Sequence, residues 1–177
     1  MLELHKVPGE VIGCFGKPAA LDQLDKAAEL SVRVAADELL LLSMEVEYHV
    51  SASPPQQISE VEAQLRAMDG GSLVLDLSSG YAIWALRGDS RFEAFSRLSA
   101  LKLPAGDGDV LPAAVQGLVA HVPTKVIVGS EGLLLIVPSV VSHHLRERVL
   151  QACSDLAPTE GSDSQTKEVS MEEGAAV

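Results

Sequence analysis

The chain has 177 residues, a length that fits one domain or two small duplicated units. Hydrophobic residues make up 47% and charged residues 21% of the sequence, which supports a packed core and excludes disorder along the whole chain. The formal net charge is −12, aromatic residues reach only 3%, and no basic run occurs. This balance argues against binding to nucleic acid or to an anionic membrane.

Targeting and redox signals are also lacking. No apolar run approaches the roughly 20 residues of a membrane-spanning helix. Residues 1–6 are charged and lack the apolar core of a secretory signal. Cys14 and Cys153 are far apart in sequence, so we expect no disulfide framework and, by default, a cytoplasmic location.

Strand and helix patterns alternate along the first half. Gly16 ends a short apolar strand, and Pro18 suits the first turn of a helix. Ser53, followed by two prolines, is a candidate N-cap for a second helix, which Gly70 and Gly71 end. The predicted elements are a strand at 10–15, a helix at 19–29, strands at 31–35 and 38–43, and a helix with the apolar stripe Ile58, Val61, Leu65 and Met68.

The second half predicts a similar order. Leu73, Leu75 and Leu77 alternate in a strand, and the turn Ser78–Gly80 returns the chain as a hairpin with a strand at 81–86. Asp89 is expected to cap the next helix and Ser139 the last one. The remaining predicted elements are the helix stripe Phe92, Phe95 and Leu98, extended chain at 110–112 and 113–121, strands at 124–128 and 132–137, and a final helix with Val140, Val141, Leu145, Val149 and Leu150.

The two halves share a plan of strand, glycine, helix, two strands and helix. Residues 31–43 and 124–138 each form a strand, an acidic turn and a leucine-rich strand. The sequence therefore predicts an α+β fold of duplicated β-α-β-β-α units with mostly antiparallel sheets and helices on one face of each sheet. The folded part is expected at 1–156, with halves at about 10–70 and 72–156. Residues 157–177 lack apolar periodicity and predict a disordered acidic tail.

The candidate chemical residues are isolated. His143 and His144 are adjacent and point about 100° apart on a helix, and His121 is expected at the surface of a strand end. Cys14 is expected to be a buried, unreactive thiol. Asp76 is interpreted as a turn-stabilising residue and Trp84 as part of a core or an interface. No phosphate loop, dinucleotide fingerprint, metalloprotease motif or nucleophile elbow occurs, so the residues themselves predict no catalytic, cofactor-binding or metal site.

Residues 74–104 resemble the signature stretch of the gamma subunit of heterotetrameric sarcosine oxidase. The matching positions are Asp76, Ser78, Gly80, Gly88, Arg91, Leu101 and Leu103. Residues 36–41 are similar to the family's Gly-Pro-Asp-Glu-Trp-Leu turn, with Leu39 in place of the tryptophan, and residues 132–139 fit a later strand. Lys102 replaces an acidic residue of the family. The resemblance covers about residues 11–153.

That resemblance implies the folate-binding fold of the glycine cleavage aminomethyltransferase, or T-protein. It implies a small noncatalytic subunit whose partners are larger alpha and beta flavoprotein subunits and a small delta-like subunit. FAD, FMN, NAD and tetrahydrofolate are then expected on those partners and none on this chain. The implied complex oxidatively demethylates an N-methyl amino acid.

Two other functions stay open at this point. A stand-alone protein of the folate-binding fold could act in one-carbon transfer or iron–sulfur assembly and would need a pterin pocket. An interaction module of unrelated ancestry would lack the duplicated α+β halves.

Overall fold

A computed structural model describes residues 1–28, 30–44, 57–104, 113–130, 132–156 and 158–160 of the chain. In chain order the elements are β1 (Leu2–Val7), β2 (Gly9–Phe15), α1 (Pro18–Ala27), β3 (Ser31–Ala35), β4 (Glu38–Met44), α2 (Ile58–Met68), β5 (Leu73–Asp76), β6 (Tyr81–Arg87), α3 (Arg91–Leu98), β7 (Ala113–Val119), β8 (Val122–Val128), β9 (Gly132–Pro138), α4 (Ser142–Ala152) and β10 (Pro158–Glu160).

The strands form two sheets. The first has the order β3-β4-β2-β5, and the second has the order β10-β1-β6-β9-β8-β7. Among the described strands every pair is antiparallel except β1 with β10. The expected α+β class with mostly antiparallel sheets is therefore confirmed.

Both sheets are covered on both faces, which explains the unbroken apolar runs in their central strands. Leu39 and Leu41 of β4 pack with α1 and α2 on the outer face of the first sheet. Leu40 and Leu42 point the other way, into a core shared with β6, β8 and β9 of the second sheet. Helices α3 and α4 cover the outer face of the second sheet. Successive side chains of a strand point to opposite faces of the sheet. Because both faces are buried here, every position of a central strand must be apolar.

The predicted hairpin between the leucine strand and the strand from Tyr81 is wrong. β5 pairs with β2 in the first sheet, whereas β6 pairs with β1 and β9 in the second. The short 3-10 turn Ser78–Gly80 carries the chain from one sheet to the other. Apolar alternation identifies each strand but cannot say which strand it pairs with.

The sequence predicts no strand at residues 1–6, but the structure places β1 there. Leu2 and Leu4 are fully buried, and β1 lies between β6 and β10 in the second sheet. β10 begins at Pro158, so the predicted tail is corrected there, since Pro158–Glu160 form a strand. Residues 161–177 lie outside the described part.

Several predicted helix details differ. Helix α3 begins at Arg91 and receives no side-chain cap from Asp89, and the 3-10 turn Ser139–Val141 precedes α4. The Ser139 hydroxyl instead donates a hydrogen bond to the Ser79 carbonyl at 2.9 Å. Phe92 and Val140, expected in apolar stripes, are 45% and 81% exposed. The candidate cap Ser53 and the extended residues 110–112 lie outside the described residues.

Candidate functional site

The centre of the signature stretch is a turn built by Asp76. Its Oδ1 accepts hydrogen bonds from the Ser78 backbone N–H at 2.9 Å and from the Ser78 hydroxyl at 2.6 Å. These bonds lower the pKa of Asp76 below the ordinary carboxyl value. Asp76 is thus a turn-stabilising residue, as the sequence predicted.

The same turn fastens the crossing between the sheets. The Val11 N–H donates to the Ser78 Oγ at 3.0 Å, and the Leu77 N–H donates to the Val11 carbonyl at 2.8 Å. The end of β5 is thereby tied to β2 just before the chain leaves for the second sheet. The first residues of the signature stretch therefore hold the crossing between the two sheets.

Gly88 and Arg91, the next signature residues, form the turn that leads into α3. Gly88 has φ +92, and the Met1 carbonyl lies so near that a Cβ at Gly88 would be 2.1 Å from its oxygen. The Arg91 Nη1 donates to the Gly88 carbonyl at 3.1 Å. Only glycine combines this left-handed φ with so close an approach of another strand.

A second polar cluster, missed by the sequence analysis, joins the start of α1 to the end of α2. The buried Asp69 Oδ2 accepts the Lys17 backbone N–H at 2.9 Å, its Oδ1 accepts the Gly71 N–H at 3.3 Å, and the Lys17 Nζ lies 3.6 Å from Oδ1. The two backbone hydrogen bonds are the main cause that lowers the pKa of Asp69, and the Lys17 charge adds to it. The carboxylate is held ionised at a helix N-terminus, where it is a poor proton acceptor.

This cluster lines an open cleft of about 400 Å³, together with Phe15, Asp37 and Leu73. A smaller cavity of about 270 Å³ lies between Glu10, Asp76 and the first turn of α2. The carboxylates outnumber the cations around both cavities, and the lysine of the larger one is already paired with Asp69. Phosphate-bearing nucleotides and the glutamate tail of a folate are anionic, so the residues of these two cavities do not fit them.

The cysteines and histidines considered in the sequence analysis lie outside these two clusters. Cys14 is fully buried in the layer of α1 and α2, where burial raises the pKa of its thiol to about 11, and Cys153 lies in the core of the other sheet. The adjacent His143 and His144 are exposed on the first turn of α4, and His121 is exposed in the turn between β7 and β8.

Trp84 belongs to the core beneath α3 and α4, with 8% of its surface exposed. No acceptor among the described residues reaches its indole N–H. This agrees with the core alternative for Trp84 in the sequence analysis.

The described ranges hold neither a cluster of metal ligands nor a membrane-spanning helix. No three His, Cys, Asp or Glu side chains lie close enough together there to hold a metal ion. None of the described helices is long and apolar enough to cross a membrane.

The sequence matches no family model and no curated protein. The fold does match solved structures. A chain of the heterotetrameric sarcosine oxidase from Corynebacterium sp. U-96, solved in complex with pyrrole 2-carboxylate, superposes with a TM-score of 0.71 at 16% identity, over 91% of this chain and 88% of that chain.

Aminomethyltransferase T of the glycine cleavage system from Bartonella henselae superposes with a TM-score of 0.59 at 14% identity. The match covers 90% of this chain and 47% of the transferase, so this chain spans about half of that protein. The chain has an aminomethyltransferase-like fold. This agrees with the fold that the signature resemblance implied.

Proposed function

We propose that this aminomethyltransferase-like chain is a small noncatalytic subunit of a sarcosine-oxidase-like complex, in the role of the gamma subunit. The observation that supports this role is the share of each neighbour's chain that the superposition covers. The match accounts for 88% of a sarcosine oxidase chain but only 47% of the aminomethyltransferase. The match therefore spans nearly all of that oxidase chain and about half of the transferase.

The chemistry of the described polar residues supports the same role. Asp69 and Asp76, the carboxylates with lowered pKa at the two cavities, each accept two hydrogen bonds that hold the local fold. The acidic cavities disfavour anionic cofactors. In this proposal FAD, FMN, NAD and tetrahydrofolate are bound by the alpha, beta and delta-like partner subunits of a cytoplasmic complex.

The reaction assigned to the whole complex converts sarcosine, oxygen and tetrahydrofolate into glycine, 5,10-methylenetetrahydrofolate and hydrogen peroxide. This chain contributes no reacting group to that conversion. Its part is to stabilise the flavin-bearing subunits through the surface of its sheets and helices.

We also propose that the fold arose from a duplicated unit. The antiparallel order β5-β2-β4-β3 in the first sheet corresponds to β1-β6-β9-β8 in the second. In each sheet one strand leads into a helix and then pairs with the leucine-rich strand that precedes the last helix of its half. In this correspondence β1, which precedes the first unit, pairs with β6 of the second unit. β5, which precedes β6, pairs with β2 of the first unit, so β1 and β5 have exchanged sheets.

The test is purification of the tagged full chain from its own host, with mass spectrometry and a visible absorption spectrum. Recovery of larger flavoprotein subunits in constant ratio, with a flavin spectrum, is the expected result. Colourless chain recovered alone would contradict the proposal.

A stand-alone protein of the folate-binding fold is the second candidate, favoured by the likeness to aminomethyltransferase T. Calorimetric titration of the isolated chain with tetrahydrofolate separates the two. Heat of stoichiometric binding would favour the stand-alone protein, whereas no heat is expected if folate belongs to a partner subunit.

A further inference from the structure

Strand β5 combines an edge position with exposed apolar side chains, which the signature resemblance does not explain. It stands at the end of the first sheet and, among the described strands, it pairs only with β2. Despite this edge position it carries Leu73 and Leu75, which are 51% and 40% exposed. A flat, apolar edge strand invites pairing with another strand, and natural proteins usually protect such edges.

The two faces of this edge differ. Leu73 is paired with Phe15, and Leu75 is paired with Gly13. A Cβ built on Gly13 would meet Leu77 and Phe15, so these side chains share one face. Leu77 on this face packs against the core between the sheets, whereas Phe15 is partly buried and Leu73 and Leu75 are exposed.

The opposite face is acidic near the end of the strand. Asp76 is paired with Ile12 and lines a cavity together with Glu10 and the exposed Ile58. Within the described residues no cation forms an ion pair with Glu10 or Asp76. We call the leucines, Phe15, Glu10 and Asp76 together the β5 edge.

The backbone of the edge is available as well. The Leu77 N–H bonds to the Val11 carbonyl, and residues of an antiparallel pair alternate between bonding inward and outward. Leu73, Leu75 and Leu77 therefore bond toward β2, and Val74 and Asp76 direct their N–H and C=O groups away from the sheet. Within the described residues no strand pairs with this side of β5, so an added strand would find backbone groups of two residues to bond with.

We propose that the β5 edge binds an extended segment of a partner subunit in which apolar residues alternate with Lys or Arg. A strand presents successive side chains to opposite faces, so this pattern places apolar residues beside Leu73 and Leu75 and cations beside Asp76, on the face that also carries Glu10. The inference rests on the proposed function for the identity of the partner. The surface itself follows from the residues of this chain.

Charge disfavours two segments of this chain, and a second copy of it, as occupants of the edge. Residues 161–177 carry four carboxylate side chains and one lysine, and residues 45–56 carry Glu45 and Glu47 without any lysine or arginine. Either segment would add negative charge to an edge that already has Glu10 and Asp76. A second copy of the chain, paired through β5, would likewise bring two acidic edges together.

The first experiment uses a probe peptide and hydrogen exchange. A blocked peptide of alternating lysine and valine is added to the full chain, and a peptide of alternating glutamate and valine is the control. The lysine peptide is expected to slow exchange of the Val74 and Asp76 amides, less strongly as salt is raised, and the glutamate peptide is not. Unchanged exchange with the lysine peptide would overturn the inference.

Two variants make the test specific. Leu75→Arg places a cation on the edge, and Leu118→Arg does the same on β7, the edge of the other sheet, where the leucine is 58% exposed against 40% for Leu75. Both sites are exposed, so both variants should unfold at the wild-type urea concentration. Leu75→Arg is expected to weaken peptide binding by about tenfold or more, and Leu118→Arg to leave it unchanged. Equal binding by the two variants contradicts the inference.

The same variants are then purified from the host. Loss of the flavoprotein subunits from Leu75→Arg alone supports the inference, and their retention overturns it while the proposed function stands. If wild-type chain recovers no flavoprotein, the proposed function fails, and the peptide result alone decides about the edge. A change of oligomeric state in Leu75→Arg would assign the edge to a second copy and overturn the partner assignment.

Discussion

Replacement of Gly88 by alanine tests how the two sheets are held together. A left-handed φ costs a non-glycine residue about 1–2 kcal/mol. The added Cβ would lie 2.1 Å from the Met1 carbonyl oxygen, far inside the 3.0 Å that Cβ contacts respect, and the obstacle is backbone. The first residues of β1 must then move away from β6, and Leu2 and Leu4 lose part of their burial.

Full burial of one leucine contributes about 1.5–3 kcal/mol. Partial exposure of these two side chains, added to the backbone cost, predicts that Gly88→Ala lowers the free energy of unfolding by about 3 kcal/mol or more. The assay is urea unfolding followed by circular dichroism. Amide exchange in β1 should accelerate more than exchange in β4.

Gly80→Ala is the matched control, because an added Cβ at Gly80 meets nothing within 4 Å. Its unfolding midpoint should stay close to that of the wild-type chain. A loss below about 1 kcal/mol for Gly88→Ala would refute the claim that this glycine is required by the approach of β1.

Three further predictions concern a turn, a carboxylate and a thiol. His121 is exposed at φ 66, so His121→Gly relieves left-handed strain and should raise stability by about 0.5–1 kcal/mol, measured by thermal unfolding; an unchanged or lower melting temperature would contradict this. Folding lowers the pKa of Asp69, so its stabilisation is present above the ordinary carboxyl pKa and is lost as pH falls through the folded pKa. Asp69→Asn should therefore be less stable than wild type at about pH 7, with a gap that narrows at about pH 3; a constant gap would show that the charge is unimportant. Buried Cys14, with its pKa raised to about 11, should resist a thiol reagent in the native chain and react after unfolding in urea; rapid native labelling would disprove its burial.

Most helices and inner strands were predictable because their signals are local. Val61 and Leu65 on α2, and Leu145 and Val149 on α4, lie at helical spacing and are buried. The hairpin from β3 to β4 turns at Ala36-Asp37 as expected. The hairpin from β7 to β8 was not found, since its two-residue turn is Ala120-His121, with φ 51 and 66, instead of the usual asparagine and glycine.

The candidate sites were predictable only where their partners are near in sequence. Asp76 and Ser78 are two positions apart, and the turn they form could be recognised from the residues. Lys17 and Asp69 are separated by 52 positions, and no sequence signal connects them. The exposure of Leu73 and Leu75 was equally hidden, since an alternating leucine strand predicts a buried face.

By itself the sequence determined the α+β class, the antiparallel tendency and most elements of both halves. Composition and side-chain periodicity act within a few residues and report which positions are buried. Only the tertiary structure decided that β5 and β6 belong to different sheets, that β1 joins the second sheet, and that β5 is an edge among the described strands. Strand pairing depends on contacts between distant residues, and the same apolar alternation satisfies several partners until all layers pack together.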